Sequence, residues 1–578
     1  MKDKETTQNE RLSKIMGLYD AARAAMLEKI DEFEKYERQY HASCEIDGSS
    51  VEATTVRNIT YEIIESEVNS DIPTPKADSI SYTEKRERNA RSIERLCSAV
   101  RDRLPFEAMN DLDERYTYIY GGSVWYIEWD SSDRCGCDVG GVRVHCLSPL
   151  DFIPQPGVCA VDDMDYCFLR FTTTRSELAR KYGVSEDSLS LAECEYQYDS
   201  EMRDSDTASV IVCFWKDEEG EIGKLVFSGD LLLSDIPRYY SRKEEVCVDC
   251  GLDGEHCNCQ GVKRTRDLGY EKVNRELLPD YADNDAYVEY YTPRSFPIVI
   301  RKNSSSTMSL YGTSDCETLR YHQQAINKVE SRILQKLLRA GITPVIPEDS
   351  SVTLGNSVFG QVIKMKAGES LAQYGKIDTT PDITQDIKEA DRLYDQAKRI
   401  MGISDALVGV DSSSTESGYS RQLKILQANG RLNSKRQLKY HAYSEIYKRI
   451  FEHFLAFADE ARPLSYKDCF GHVHLSEFSK YDFIEKSDDG EYGYYDGYLF
   501  SVDLNGGAEY LREELWERNL TNLKAGTIGD PESPITLLRY WQSQERAHYP
   551  YARENVEYFK SIVEKQENKE SENENERK

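Results

Sequence analysis

The chain has 578 residues, length for about three or four folding units, and carries 103 acidic against 73 basic side chains for a formal net charge of -30. That balance argues against a simple nucleic-acid clamp, which is usually basic, and fits a surface that repels polyanions, with plain solubility as the simpler reading. No run approaches the roughly 18 apolar residues of a membrane span, and Met1 to Glu5 start no apolar signal core, so a protein made and kept in cytosol with no membrane partner is expected.

Its 15 cysteines then read as free thiols or metal ligands rather than disulfides. The 39 tyrosines suit half-wet surfaces such as subunit contacts.

In chain order, residues 1–43 read as an amphipathic helix broken by Cys44 to Ser50. Val56 to Glu67 reads as helix or mixed structure, and Ser79 to Asp111 as a charged helical stretch with Ile93, Leu96, Val100 and Leu104 on one face. Tyr116 to Trp129 alternates and turns at Gly121-Gly122, predicting a hairpin. Strands are expected over Val142 to Phe152 and Tyr166 to Thr172, then a short helix from Thr174 to Tyr182. Ser209 to Trp215 and Lys224 to Ser228 form a second hairpin around Glu218 to Glu221. Tyr287 to Tyr291 and Ile298 to Arg301 read as strands.

Ser314-Asp315-Cys316-Glu317 is a capping-box start. Leu319, Ile326, Val329, Ile333 and Leu337 follow at helical spacing until Gly341. Ile342 to Thr379 holds two Pro and four Gly and cannot continue the helix. Thr380-Pro381-Asp382 opens a second helix with the apolar stripe Ile383, Ile387, Ala390, Leu393, Ala397 and Ile400, closed by Gly402. A Ser/Gly-rich loop runs to Gly418, and one long helix is expected from Tyr419 to about Ala458. Residues 462–505 return to β character. Helices follow over Ala508 to Thr521, Pro534 to Gln544 and Pro550 to Lys565, and Gln566 to Lys578 reads as a solvated tail.

Chemistry concentrates in three places. Lys328, Arg332 and Lys336 sit at i, i+4 and i+8 on the first long helix, so they share a face. They can offer phosphates a weak, sequence-independent contact, or pair with Asp386, Asp391 and Asp395 of the next helix, with Lys328 the favoured pairing. The later helix carries Arg421, Lys424, Arg431, Lys435, Arg436 and Lys439, a patch suited to a neighbouring subunit more than to DNA. Cys247-x2-Cys250-x6-Cys257-x-Cys259 matches a tetrahedral zinc site, with His256 able to replace one thiolate. A cluster of free thiols is its bland counterpart. Cys135-x-Cys137 with His145 and Cys146 is a weaker metal candidate. No His-Glu-x-x-His, Gly-x-Ser-x-Gly, dinucleotide fingerprint or phosphate-loop Gly-Lys-Ser/Thr is present, which argues against an enzyme.

The order helix, small β-like insert, helix, Ser/Gly loop, very long helix resembles the portal proteins of tailed bacteriophages, over roughly residues 55–560. Phe296-Pro297-Ile298-Val299-Ile300 with Tyr311-Gly312-Thr313-Ser314-Asp315 looks like the approach to that family's first stem helix. Met401-Gly402-Ile403 and Ser417-Gly418-Tyr419-Ser420 look like the tunnel loop and its exit, and Ser148-Pro149-Leu150-Asp151-Phe152-Ile153-Pro154 resembles a wing strand.

The resemblance implies an α+β, portal-like fold. Its parts would be an N-terminal helical region (1–110), an α/β wing (111–313) with a Cys-rich insert near 241–262, a first stem helix (314–341), a small α/β clip (342–379) and a second stem helix (380–402). A tunnel loop (403–418), a long wing helix with returning strands (419–505), a helical crown (506–565) and a disordered tail (566–578) would follow. It further implies a homo-oligomeric ring, a dodecamer, at one capsid vertex of the virion, assembled in host cytoplasm. Double-stranded DNA would pass through it. Terminase, major capsid protein or scaffold, and head-completion or adaptor proteins would be its partners. The DNA-channel candidates are then Lys328, Arg332, Lys336, Arg339, Lys364 and Lys366. The tunnel loop is Asp411, Ser412, Ser413, Ser414, Thr415, Glu416, Ser417 and Gly418. Cys247, Cys250, Cys257 and Cys259 would hold a structural zinc particular to this chain. The alternative reading is a zinc-containing nucleic-acid-processing enzyme or adaptor.

Overall fold

A computed structural model describes residues 2–42, 55–135, 138–189, 207–247, 263–278, 285–306, 309–338, 342–345, 375–378, 381–403, 418–467, 473–487, 490–503, 509–546, 549 and 552–577. The elements are α1 (Lys2–Tyr40), α2 (Ile59–Glu67), β1 (Thr74–Ser79), α3 (Glu84–Arg103), α4 (Phe106–Tyr120), β2 (Gly122–Cys135), β3 (Asp138–Leu147), β4 (Phe152–Pro154), β5 (Tyr166–Thr174) and α5 (Arg175–Tyr182). Then come β6 (Thr207–Lys216), β7 (Ile222–Ser228), β8 (Leu231–Ile236), β9 (Arg242–Cys247), β10 (Lys263–Leu268), β11 (Tyr270–Val273), β12 (Ala286–Glu289), β13 (Ile298–Lys302), α6 (Asp315–Leu338), β14 (Ile342–Val345), β15 (Gly375–Asp378) and α7 (Thr384–Met401). The chain closes with α8 (Gly418–Phe457), β16 (Arg462–Lys467), β17 (Val473–Phe478), β18 (Ile484–Lys486), β19 (Tyr492–Tyr494), β20 (Tyr498–Asp503), α9 (Glu509–Lys524), α10 (Pro534–Arg546) and α11 (Ala552–Arg577). Among the described residues, no helix is long and apolar enough to cross a membrane.

The chain divides into two compact units. The first takes residues 1–33, 68–314 and 429–578; the second takes 34–67 and 315–428. In the first unit β13, β2 and β3 form one antiparallel sheet, and β4 to β8 form a five-stranded antiparallel sheet in sequence order. Its main core follows helical spacing on α8, with Tyr443, Ile446, Tyr447, Ile450, Phe451 and Phe454 buried. Ile93, Leu96, Cys97 and Val100 of α3 face the same core, with Trp125, Ile127, Val142 and Val144 from β2 and β3. The Phe451 ring meets Phe483 edge-on at 5.1 Å and Tyr498 at 5.9 Å.

Three sequence expectations change here. Gly121-Gly122 is no hairpin turn. Gly121 ends α4 in the left-handed conformation at φ 90°, its N–H donating to the Thr117 carbonyl at 3.0 Å. Its own carbonyl accepts from Asn303 and Gly312 N–H groups at 3.0 and 2.9 Å, and a Cβ at 121 would fall on the Gly312 oxygen. The hairpin instead joins β2 to β3. The stretch from Ser79 to Asp111 is two helices, because Leu104 is extended and Pro105 interrupts the amide ladder. Finally, α11 runs on as helix to Arg577. The tail lacks apolar residues, but it also lacks Gly and Pro, and its Glu and Lys favour helix.

Thiols are present in both units. Cys97, Cys167 and Cys213 of the first and Cys316 of the second are buried thiols outside any disulfide. Burial pushes the first three well above the ordinary thiol range.

Candidate functional site

The second unit is built around α6 and α7, which pack on α2 through Ile59, Ile63, Leu319, Ile326, Ala397, Met401 and Ile403. The buried face of α7 is Asp386, Ala390, Ala397 and Met401, one step round from the stripe expected from sequence, while Ile387 and Ile400 are exposed. On α6, Leu319, Ile326 and Val329 are buried and Leu337 is exposed.

The basic face of α6 divides in two. Lys336 Nζ pairs with Asp386, and Arg332 Nη1 reaches the other oxygen of the same carboxylate at 3.7 Å. Asp386 lies in the first turn of α7, where the helix dipole also favours a carboxylate. Lys328 is exposed and forms no ion pair among the described residues. The expected pairing of Lys328 with an α7 acid is therefore wrong. Asp386 begins α7 and lies beside the late turns of α6, so Lys336 meets it and Lys328, two turns earlier, does not. Asp391 approaches Arg57 at 3.9 Å and Asp395 approaches Lys398 at 3.6 Å.

The segment Thr55 to Glu67 was not read from sequence as part of this site. It lies along the α6 residues Gln323, Asn327 and Ser331, spaced four apart and all buried. Gln323 Oε1 accepts from the Thr60 N–H and hydroxyl, both at 3.1 Å, and its Nε2 donates to the Arg57 carbonyl at 2.7 Å and to Asn327 at 2.8 Å. Ser331 Oγ accepts from the Thr55 N–H at 3.2 Å. Gln39 adds bonds to Thr60 Oγ1 at 2.9 Å and the Cys316 carbonyl at 3.0 Å. Toward α7 the contacts are charged. The Arg57 guanidinium lies 4.8 Å from the centre of the Tyr394 ring, and the Tyr394 hydroxyl donates to Glu62.

The first unit holds a buried ionic network that sequence reading also missed. Arg301 Nη1 contacts Asp113 Oδ2 at 2.5 Å and Glu114 Oε1 at 2.8 Å, and Lys439 Nζ sits 2.9 Å from Glu114. Their side chains are 0–2% exposed. Trp125 Nε1 donates to Asp113 at 2.8 Å, and Lys439 donates to the Asp71 carbonyl at 2.8 Å. Burial works against the Arg301 charge, but Asp113 and Glu114 outweigh it and hold the guanidinium protonated. Burial also raises Glu114, and Arg301 and Lys439 outweigh that and bring it below the usual carboxylate range. Lys439 is thus an internal partner, not part of an exposed basic patch, and Lys435 lies against the Tyr118 ring at 4.9 Å.

Of the remaining candidates, Arg339, Lys364, Lys366, Asp411 to Ser417, Cys250, Cys257 and Cys259 lie outside the described residues, as does Cys137. Gly418 begins α8, and Cys247 ends β9 in register with Lys263 of β10. In the weaker metal candidate, the Cys135 and His145 backbone positions lie far apart along the β2–β3 ladder. Cys135 pairs with Asp138 while His145 pairs with Tyr126, seven positions further along β3, or roughly 23 Å at strand rise. His145 Nε2 instead approaches Glu128 at 3.4 Å. Among the described residues no group of three ligating side chains could hold a metal.

No protein-family model and no curated protein matches the sequence. Among solved structures the chain is similar to the neck of an empty GTA particle computed with C6 symmetry, at 9% identity, with 84% of this chain and 90% of that chain covered and a TM-score of 0.37. A likeness of that size establishes no shared fold.

Proposed function

We propose that this chain is a portal-type subunit, forming a ring at one capsid vertex through which double-stranded DNA is packaged and ejected. The observation that carries the reading is the run α6, the antiparallel pair β14–β15, α7, then the 40-residue α8. Its order follows that of the stem, clip, stem and long wing helix of the resemblance. The exposed stripe of α6 supplies the channel chemistry. Lys328 is unpaired among the described residues and Arg332 is 61% exposed, so a ring would repeat them as sparse positive belts inside an acidic protein. Such belts hold phosphates weakly and let DNA slide. Terminase, capsid or scaffold protein and head-completion proteins are the partners in this proposal, the ring is a dodecamer, and the chain itself performs no catalysis.

Negative-stain images of the purified protein test it: rings with a central hole are expected, and monodisperse monomers would sink it. In a ring-forming preparation, Lys328→Gln should leave the rings intact and change DNA passage in a salt-dependent way.

A second proposal concerns zinc. The β9–β10 register sets Cys247 beside Lys263, at the two ends of the stretch that contains Cys250, Cys257 and Cys259. Four thiolates in that stretch suit one structural zinc. Protein purified without chelator should carry about one zinc per chain, lost in Cys250→Ser/Cys259→Ser. Metal-free wild type would exclude it.

A further inference from the structure

We propose that α7 is held to α2 and α6 by an electrostatic clasp that loosens as ionic strength rises, while the union of α2 with α6 does not respond. The two unions differ in chemistry. The α2 segment joins α6 through Ile59 and Ile63, 0% and 2% exposed, and through uncharged hydrogen bonds to Gln323, itself bonded to Asn327, and to Ser331. Apolar burial and neutral hydrogen bonds are insensitive to moderate screening.

By contrast, α7 joins its apolar share, Ala397 and Met401 with Leu393 and Tyr394 packed against the same core, to a set of charged contacts. Two of its four buried side chains are alanines, Ala390 and Ala397, and a third is the carboxylate of Asp386. Beside that core, charge contacts join it at three levels. At its start Asp386 takes Lys336 and Arg332. One turn on, Asp391 faces Arg57, which also approaches Glu330 of α6 at 3.7 Å. Next, Tyr394 donates to Glu62 of α2 while Arg57 and Lys398 lie 4.8 and 4.5 Å from its ring centre. Arg57 therefore touches both long helices, and its backbone carbonyl is fixed by Gln323. Most of these charges are open to solvent: Arg57 is 39%, Arg332 61% and Asp391 64% exposed. Screening acts on such pairs and barely on the buried hydrogen bonds of Gln323 and Ser331.

The inference stands on the second unit alone and does not depend on whether the chain forms a channel. Hydrogen exchange of the intact protein tests it, at about 0.05 M and about 1 M potassium chloride, where the screening length falls to roughly 3 Å. Rates are taken relative to unstructured peptides of the same segments in the same salt. Amides of 388–400 should exchange about tenfold faster in high salt, with 319–331 and 59–66 unchanged. In Asp386→Asn/Asp391→Asn, α7 should exchange fast at both salts. If that variant does not fold, Arg57→Gln should reduce the salt response. Salt-independent protection of α7 overturns the proposal. So does parallel loosening of α2 and α6, or a salt response undiminished in the variants.

Discussion

The two units use the same ionic chemistry to opposite ends. In the first, Arg301, Lys439, Asp113 and Glu114 are 0–2% exposed, and each charge has its partner inside the protein. In the second, Lys336 and Arg332 share Asp386 at 36%, 61% and 11% exposure. Where water is excluded, a charge cannot lose its partner without being stranded, so the arrangement is fixed. Where water is at hand, solvent replaces a lost partner, and the arrangement can be adjusted.

The strongest test of that contrast is Arg301→Met. It leaves Asp113 and Glu114 buried with only Lys439 to answer them, and a loss of about 3–5 kcal/mol is expected in chemical denaturation. A loss below about 1 kcal/mol would mean the network is as replaceable as an exposed pair.

Acid should expose a second effect of burial. His453 is fully buried on α8; its Nδ1–H donates to the Arg449 carbonyl at 2.7 Å, and Nε2 has no hydrogen-bond partner among the described residues. Burial lowers its pKa from 6.5 to about 4, with Arg449 and Lys224 adding repulsion against the pull of Glu128. Between those values the unfolded chain binds a proton that the folded chain refuses. Stability contributed by neutral His453 is complete above pH 6.5 and falls as pH drops towards about 4, by roughly 3 kcal/mol. Urea midpoints at pH 7.5 and 4.5 should separate less in His453→Phe than in wild type. Equal separations would remove the histidine from the account, leaving the carboxylates.

The smallest effects belong to α6. Lys336→Gln should cost up to about 1 kcal/mol, because Asp386 keeps only the longer contact to Arg332. Lys328→Gln should stay within about 0.5 kcal/mol. Thermal melts of the two variants rank them, and the reverse order would mean that Lys328 is the paired residue after all.

What sequence revealed was whatever local spacing controls. The helical period of α6, the Gly402 end of α7, the Thr174 cap of α5 and the β6–β7 hairpin around Gly220 all depend on neighbours a few residues away. Gly121 misled because glycine serves a hairpin turn and a helix C-terminus equally well, and only the approach of Gly312 tells them apart. Lys328 misled because a basic stripe has no direction until its neighbouring helix is placed. The Arg301 network joins residues that lie 187 and 188 positions apart in the chain. Gln323 and Thr60 are 263 apart. No periodicity reaches over such distances, so the contribution of Thr55 to Glu67 to the second unit was hidden.

The buried thiols give the protein built-in clocks. A thiol reagent reaches Cys97, Cys167 or Cys213 only when the first unit opens, and Cys316 only when the second does. In the intact, unlabelled chain, the modification rate at each cysteine, read by peptide mass, would time the opening of one unit separately from the other. A reagent pulse during folding would show which unit closes first.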